Sequence, residues 1–278
     1  QRKGQTTPTT IDPAIQQQTQ NAVKHHAEKL AVNNIHHAGA LIAEIETGNV
    51  IAYAGNTPGS NNEPGHAVDM IKAQRSSGSI LKPLLYAAAL DDGTILPDML
   101  LTDIPTQYKN YAPQNFTRKY HGAVPAGEAL TRSLNVPFVR LLNQYGGEKF
   151  LNKIAKTGIS TLDKGFDHYG LSLILGGGET TLWELAGSYA STARPLKHFT
   201  ENNSRYIASD FSELQLVEDE PGKAAAQREA ASRQTPHPPV FSAGAIWHTF
   251  EAMKSLVRPP EETGWKNFTS QQNIAWKT

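Results

Sequence analysis

The segment Ser79-Ile80-Leu81-Lys82 places a hydroxyl group one helical turn before a lysine. Residues three apart on a helix share a face, so Lys82 is predicted to reach the hydroxyl of Ser79. Residues 81–90 are apolar and Gly93 follows them, which predicts a buried helix with Ser79 at its N-terminus. At that end the backbone N–H of Ser79 is free to donate to an oxyanion.

This pairing predicts a serine nucleophile with a lysine base. A serine hydroxyl is a poor nucleophile until a base removes its proton. Lys82 can act as that base only when neutral, so its pKa must fall well below the ordinary value of about 10.4. Burial and a second cation both lower a lysine pKa, and Lys277 is the candidate second cation. Ser133 is a candidate to relay the proton, and Asn135 is a candidate to hold a substrate amide.

The order of three motifs supports this interpretation more than any one of them. Ser79 and Lys82 come first, Ser133-Leu134-Asn135 follows, and Lys277-Thr278 ends the sequence. Two other segments match these motifs, and we reject both. Ser60-Asn61-Asn62 matches the second motif but precedes the nucleophile. Lys156-Thr157-Gly158 matches the third motif but ends a predicted helix, whereas the third motif needs a strand. The simpler alternative for Ser133 and Asn135 is that they cap a helix.

Composition excludes several other functions. The 278 residues carry 26 basic and 26 acidic side chains, so no broad positive field favours nucleic acid or acidic lipid. Cysteine is absent, which excludes disulfides, thiolate zinc sites and a cysteine nucleophile. The pairs His25-His26 and His36-His37 have no carboxylate at ligand spacing, and we interpret them as surface residues. We therefore predict no metal and no cofactor.

The chain is predicted to fold as an α/β protein, an antiparallel sheet flanked by helices. Two apolar-rich runs, 38–46 and 50–54, surround Thr47-Gly48-Asn49 and predict a hairpin. We predict four regions: a linker and first helix, a core, a variable and partly disordered insertion, and a last helix leading into the strand of the third motif. Their bounds are 1–37, 38–196, 197–240 and 241–278.

Beyond these motifs, longer segments resemble a known family. Arg75-Ser76-Ser77-Gly78-Ser79-Ile80-Leu81-Lys82-Pro83 is similar to the nucleophile segment of class A penicillin-binding proteins. Gly65-His66-Ala67-Val68-Asp69-Met70 and Ile274-Ala275-Trp276-Lys277-Thr278 resemble the 1C type in particular. Tyr111-Ala112-Pro113-Gln114-Asn115-Phe116 fits the wider family. The resemblance covers about 9–278 and is weakest between 197 and 239.

The resemblance implies a transpeptidase fold like that of penicillin-binding proteins and β-lactamases, and a peptidoglycan DD-transpeptidase activity. Ser79, Lys82, Ser133, Asn135 and Lys277 are the implied catalytic residues, and Thr278 is the implied substrate-binding residue. Stem peptides, β-lactams and cell-wall synthesis proteins are the implied partners, and nucleic acid is not among them. The implied location is the periplasmic face of the inner membrane, reached through an N-terminal anchor outside this sequence, where a glycosyltransferase domain is also implied.

This sequence departs from the family pattern at two points. Ser77 stands where many members have proline, and no glycine follows Thr278. We therefore expect the chain to be a fragment, with later strands and a second oxyanion N–H absent. Two alternatives remain open: a β-lactamase-like or carboxypeptidase hydrolase, and a non-catalytic fragment. Glu179-Thr180-Thr181-Leu182 is similar to the deacylating glutamate segment of class A β-lactamases, but Trp183 follows, so we predict a structural helix start.

Overall fold

The computed structural model describes residues 7–59, 64–217, 234–255 and 274–277. The rejected segment Ser60-Asn61-Asn62 and the predicted substrate-binding residue Thr278 lie outside these ranges, as does part of the predicted insertion, 218–233. No helix within the described ranges has both the length and the hydropathy that crossing a membrane requires.

The chain forms two compact units built from helices and short strands. The first comprises the described residues within 1–75, 156–161 and 180–239, and the second comprises those within 76–155, 162–179 and 240–278. The helices are α1 (Pro13–Leu30), α2 (Lys82–Asp91), α3 (Ala126–Thr131), α4 (Asn135–Tyr145), α5 (Gly147–Ala155), α6 (Phe166–Tyr169), α7 (Leu182–Glu201) and α8 (Ala243–Lys254). The strands are β1 (Ala40–Ala43), β2 (Val50–Ala54), β3 (Arg75–Ser76), β4 (Leu100–Asp103), β5 (Gly122–Pro125), β6 (Glu179–Thr180), β7 (Tyr206–Ile207) and β8 (Gln234–Thr235). Short 3₁₀ segments occur at Ala31–Asn33, Gly170–Leu175 and Ala208–Asp210.

The first unit contains the predicted hairpin. Strands β1 and β2 pair antiparallel, with Ala40 opposite Ala54, and Gly48 takes a φ of 77° in the turn between them. Helix α1 packs against β2, and α7 packs against β1. Val50, Ala190 and Leu214 form the buried core of this layer. The predicted arrangement of antiparallel strands with flanking helices is therefore present in this unit.

Helix α2 lies in the second unit and is buried on every side, from Lys82 through Ala89. Its mostly apolar sequence accounts for this burial, because a helix that is apolar all round cannot face water. The predicted helix is present, but it begins at Lys82 and not at Ser79. Pro83 is its second residue, where a missing N–H costs no helical hydrogen bond, and Gly93 follows its end with a φ of 68°.

Helices α3 and α4 are joined by a connector that contains Ser133. The connector ends at Leu134, because α4 begins at Asn135. Ser133 has a φ of 53°, a left-handed conformation that turns the chain sharply between the two helices. This turn brings the hydroxyl and the carbonyl of Ser133 to the same side as the first residue of α4.

Helix α7 confirms the predicted structural helix start. Thr181 caps it by accepting a hydrogen bond from the backbone N–H of Glu184. The helix continues to Glu201, and Pro195 lies within it. Residues 197–201 are thus helical; the predicted domain boundaries remain predictions.

Residues 274–277, which were predicted to begin a strand, show no regular strand pairing with the described residues. The backbone N–H of Trp276 donates to the Met253 carbonyl at 3.2 Å.

Candidate active site

Ser79 lies in the turn that leads into α2 and is partly exposed. The backbone N–H of Lys82 donates to the Ser79 carbonyl at 3.2 Å, so the two residues are one turn apart as predicted. Among the described residues, the N–H of Ser79 has no hydrogen-bond acceptor. This N–H is therefore available to an anion, although Ser79 precedes the helix instead of opening it.

A run of three glycines holds the nucleophile segment in place. The hydroxyl of Ser76 donates to the Gly176 carbonyl at 2.7 Å, and the N–H of Ser77 donates to the Gly178 carbonyl at 3.1 Å. Gly176 has a φ of 101°, and a Cβ there would lie 2.4 Å from Ser76 Oγ and 2.7 Å from the nitrogen of Gly78. Only glycine allows the two backbones to approach this closely.

Lys82 is fully buried, and its side-chain nitrogen has three protein partners. Lys82 Nζ lies 2.8 Å from the Ser133 carbonyl oxygen, 2.8 Å from Asn135 Oδ1 and 3.3 Å from Ser133 Oγ. None of these three partners is a carboxylate. The predicted second motif is thus brought directly onto the predicted base, across about fifty residues of sequence.

Burial is the main reason that Lys82 loses its proton easily. Desolvation and the nearby positive charge of Lys277 together lower the pKa of Lys82 from 10.5 to about 6. Desolvation also lowers the pKa of Lys277, to about 8. At neutral pH, Lys82 is therefore mostly neutral while Lys277 is mostly protonated. A neutral Lys82 and a nearby second cation are the two conditions under which Lys82 was predicted to act as the base.

The hydrogen bonds around Ser133 form a path along which a proton can move between side chains. Lys277 Nζ donates to Ser133 Oγ at 2.8 Å. A neutral Lys82 has two N–H donors, which match the Ser133 carbonyl and Asn135 Oδ1, since neither oxygen can donate. Its lone pair is then free to accept from a hydroxyl. The Ser133 hydroxyl thus links a protonated lysine to a neutral one.

Asn135 is held at both ends of its amide. Its Oδ1 accepts from Lys82 at 2.8 Å, and its Nδ2 donates to the Gln114 carbonyl at 2.9 Å. We predicted that Asn135 would hold a substrate amide; here its oxygen is committed to the lysine, and one Nδ2 hydrogen remains for a ligand. Its contact with the base is a role that the sequence did not indicate.

Sequence reasoning missed the groups that lie behind this cluster. Asn115 is buried and accepts hydrogen bonds from the backbone N–H groups of Asn135 and Val136. Asp103, which is fully buried, accepts from Asn115 and from His121. The segment that contains Asn115 indicated only the resemblance to the family. Its position two residues after a proline in a polar stretch gives no signal of burial.

Four of the five predicted catalytic side chains therefore meet: Lys82, Ser133, Asn135 and Lys277. Ser79, the fifth, lies one turn of backbone before Lys82. A partly exposed serine whose N–H is available to a ligand, beside a buried lysine of lowered pKa, is typical of active-site serine acyltransferases that use a lysine base.

Comparison with known proteins agrees with this class. The family model described as the penicillin binding protein transpeptidase domain matches residues 38–278, so the chain belongs to that family. Penicillin-binding protein 1C of Escherichia coli (strain K12) is 29% identical over 97% of this chain and 31% of its own length. Penicillin-binding protein 1F of Bacillus subtilis (strain 168) is 26% identical over 99% of this chain and 35% of its own length. These matches confirm the predicted resemblance to a 1C-type transpeptidase domain.

Solved structures support the fold. The transpeptidase domain of Burkholderia pseudomallei penicillin-binding protein 3 matches with a TM-score of 0.66 and 16% identity, covering 91% of this chain and 71% of that chain. The penicillin-binding protein PonA1 of Mycobacterium tuberculosis matches with a TM-score of 0.66 and 19% identity, covering 91% of this chain and 64% of that chain. The predicted α/β transpeptidase fold is confirmed. The chain spans about a third of the length of the first two curated relatives.

Proposed function

We propose that this domain is a peptidoglycan DD-transpeptidase in which Ser79 is the nucleophile. Its family consists of serine acyltransferases of cell-wall synthesis that bind β-lactams. The observation that supports the proposal most is the pair of lysine nitrogens on one hydroxyl: Lys82 Nζ at 3.3 Å and Lys277 Nζ at 2.8 Å from Ser133 Oγ.

In the acylation step, neutral Lys82 removes the proton of the Ser79 hydroxyl. The oxygen of Ser79 attacks the carbonyl carbon of the penultimate D-Ala, and the N–H of Ser79 donates to the oxyanion. The peptide C–N bond then breaks. The leaving D-Ala nitrogen takes a proton from the Ser133 hydroxyl, which is replenished from Lys82, so the lysine returns to its neutral form.

In the second step, an amino group of an acceptor stem peptide attacks the Ser79 ester. Lys82 accepts the proton that the amine loses, and the Ser79 oxygen recovers a proton as the ester C–O bond breaks. A new amide bond joins the two stems. Thr278 is the proposed contact for the substrate.

A β-lactam mimics the donor because its strained amide acylates the same oxygen. The leaving nitrogen stays attached to the acyl group, so no small molecule leaves and the ester persists. Within the described residues, the hydrogen-bond partners of Lys82 Nζ are oxygen atoms of Ser133 and Asn135, and none of them is a carboxylate or an imidazole that could activate water. This arrangement favours a long-lived ester over the hydrolase alternative.

The wider setting is also a proposal. In the complete protein we place this domain on the periplasmic face of the inner membrane, with an N-terminal anchor and a glycosyltransferase domain. Peptidoglycan stem peptides and cell-wall synthesis proteins are the proposed partners.

Mass spectrometry of the chain after treatment with penicillin tests the function. We expect a mass increase equal to one intact penicillin, located on the peptide that contains Ser79, and no increase for Ser79→Ala. An ester that is lost within seconds would favour a hydrolase. No adduct at any concentration, with the chain folded, would favour the non-catalytic alternative.

A further inference from the structure

The first turn of α4 is capped by a residue from another part of the chain. The residue before this helix, Leu134, makes no capping hydrogen bond with its side chain. Instead Asn115 Oδ1 accepts from the N–H of Asn135 at 2.9 Å and from the N–H of Val136 at 3.1 Å. These two N–H groups would otherwise be unsatisfied at a buried helix end.

Asn115 is itself fixed by two further hydrogen bonds. Its Nδ2 donates to Asp103 Oδ1 at 2.7 Å and to the Lys119 carbonyl at 2.9 Å. All four hydrogen bonds that the amide makes are thus directed at protein groups. Asn115 is only 2% exposed, so water cannot replace a lost partner without opening the structure.

Asp103 is anchored in turn through a histidine whose tautomer the contacts determine. His121 Nε2 lies 2.6 Å from Arg132 Nη2, and an arginine can only donate, so Nε2 is the acceptor. The hydrogen of His121 is then on Nδ1 and is donated to Asp103 Oδ2 at 2.7 Å. The backbone N–H of His121 donates to the same oxygen at 3.0 Å. Glu128 accepts from Arg132 at 2.8 Å.

We propose that Asn115 is a positioning residue of the active site, which holds the first turn of α4 so that Asn135 and Ser133 stay within hydrogen-bond reach of Lys82. Asp103 and His121 hold Asn115. The inference deepens the proposed transpeptidase function and rests on it for its catalytic consequence.

The geometry explains why this helix end matters to the base. Asn135 is the first residue of α4, and its side chain donates to a backbone carbonyl at one end and accepts from Lys82 at the other. Ser133 lies two residues before it in a strained left-handed conformation. A small rotation of the helix start therefore moves both partners of Lys82 together.

The test is the rate at which Ser79 is acylated by a fluorescent penicillin, measured between about pH 5 and pH 9, a range that spans the titration of a lysine with a strongly lowered pKa. We expect Asn115→Ala to reduce the second-order rate constant by about 10- to 100-fold, since a displacement near 1 Å has this effect on a reacting geometry. We also expect the acidic limb of the pH–rate profile to move to higher pH, because a loosened site hydrates Lys82.

A paired exchange provides a rescue. Asn115→Asp alone sets two carboxylates against each other at the 2.7 Å contact, and it should lose as much rate as the alanine variant. Adding Asp103→Asn restores three of the four contacts: the carboxylate introduced at position 115 would accept twice from α4, and the amide introduced at position 103 would donate to it while still accepting from His121. The hydrogen bond to the Lys119 carbonyl is not recovered. We therefore expect the double variant to be acylated faster than Asn115→Asp alone and its pH profile to return towards that of wild type.

Tyr145→Phe is the control for a general loss of stability, since it removes the 2.8 Å contact of Tyr145 with Asp92, a pair that shares no hydrogen bond with this network. At matched thermal stability, it should keep the wild-type rate and pH profile. Equal rates and profiles for Asn115→Ala and Tyr145→Phe would overturn the inference.

A second measurement separates this inference from the proposed function. NMR titration of the chain with ¹³Cε-labelled lysine reports the protonation of Lys82 without any reaction. An upward shift of this titration in Asn115→Ala supports the positioning role even if wild type forms no ester, a result that would overturn only the transpeptidase proposal. An unchanged titration overturns the positioning role even if wild type is acylated.

Discussion

Lys277 and Ser133, 144 residues apart in sequence, are joined by a hydrogen bond of 2.8 Å from Nζ to Oγ. This bond brings a second positive charge close to Lys82, which contacts the same hydroxyl at 3.3 Å. Lys277 of the third motif is therefore held by Ser133 of the second motif at a position where its charge lowers the pKa of Lys82 in the first motif. A proton on Lys82 is disfavoured both by burial and by this neighbour.

Replacing Lys277 with methionine should move the acidic limb of the acylation profile to higher pH. Lys277 is protonated at neutral pH, since burial lowers its pKa only to about 8. Removing its charge raises the pKa of Lys82, whose value is about 6, and so reduces the neutral fraction near that pH. The rate at the plateau should also fall by about 10²- to 10³-fold, because the hydroxyl of Ser133, the proposed proton relay, loses the hydrogen bond from Lys277 that orients it. Lys277→Arg retains the charge, and a limb that moves equally in both variants would contradict this explanation.

Replacing Lys82 with methionine should abolish acylation and stabilise the fold at neutral pH. The pKa of Lys82 is about 6 in the folded chain and about 10.4 when unfolded. Between these values the unfolded state binds more protons, so the free energy of unfolding decreases as pH falls from about 10 to about 6. Below that range the penalty is constant, on the order of a few kcal/mol.

Urea unfolding at about pH 6, 8 and 10, across the interval between the folded and unfolded pKa, measures this effect as the difference between wild type and Lys82→Met. The difference should be largest at the lowest of these pH values and smallest at the highest. Lys254→Met on the surface of α8 is the matched control. A difference that does not change with pH would show that Lys82 is not buried as a neutral amine.

Gly176→Ala should slow acylation as well as destabilise the chain. Its Cβ would lie 2.4 Å from Ser76 Oγ and 2.8 Å from the Cα of Gly78, so the nucleophile segment has to shift. Gly93→Ala is a matched control with a φ of 68° and no atom within 4 Å of the added Cβ. The control should lose about 1 kcal/mol from backbone strain alone and keep its acylation rate. Thermal unfolding and penicillin labelling of both variants test this, and equal labelling rates would argue against a positioning role for the glycine loop.

Glu184→Gln should destabilise the first unit by about 1–3 kcal/mol at neutral pH. The Glu184 carboxylate accepts from Ser160 Oγ at 2.6 Å, from Thr180 Oγ1 at 2.9 Å and from Thr161. Burial acts to raise the pKa of Glu184, but these hydrogen bonds outweigh it and the pKa is lowered. The stabilisation is present above the unfolded pKa of about 4.3 and is lost as pH falls through the folded value. Unfolding curves at about pH 7 and pH 3 should therefore differ between wild type and variant mainly at the higher pH.

Much of the secondary structure followed from local patterns. The hairpin around Gly48 and the stop at Gly93 were predictable because glycine, which lacks a Cβ, adopts a positive φ without a steric penalty. The first residues of α2 and α4 were harder to predict from the sequence. Ser79 lies before its helix and Asn135 inside its own, because helix starts depend on which N–H groups find partners elsewhere in the chain.

The sequence by itself determined the chemical identity and order of the reacting groups: Ser79 with Lys82, then Ser133 and Asn135, then Lys277. Side-chain chemistry and motif order are local properties, and they sufficed to indicate the family. Only the tertiary structure decided that Lys82 is neutral, that Asn135 is committed to it, and that Asn115 caps α4. Desolvation, charge proximity and hydrogen bonding between distant segments exist only after the chain has folded, so no local pattern encodes them visibly.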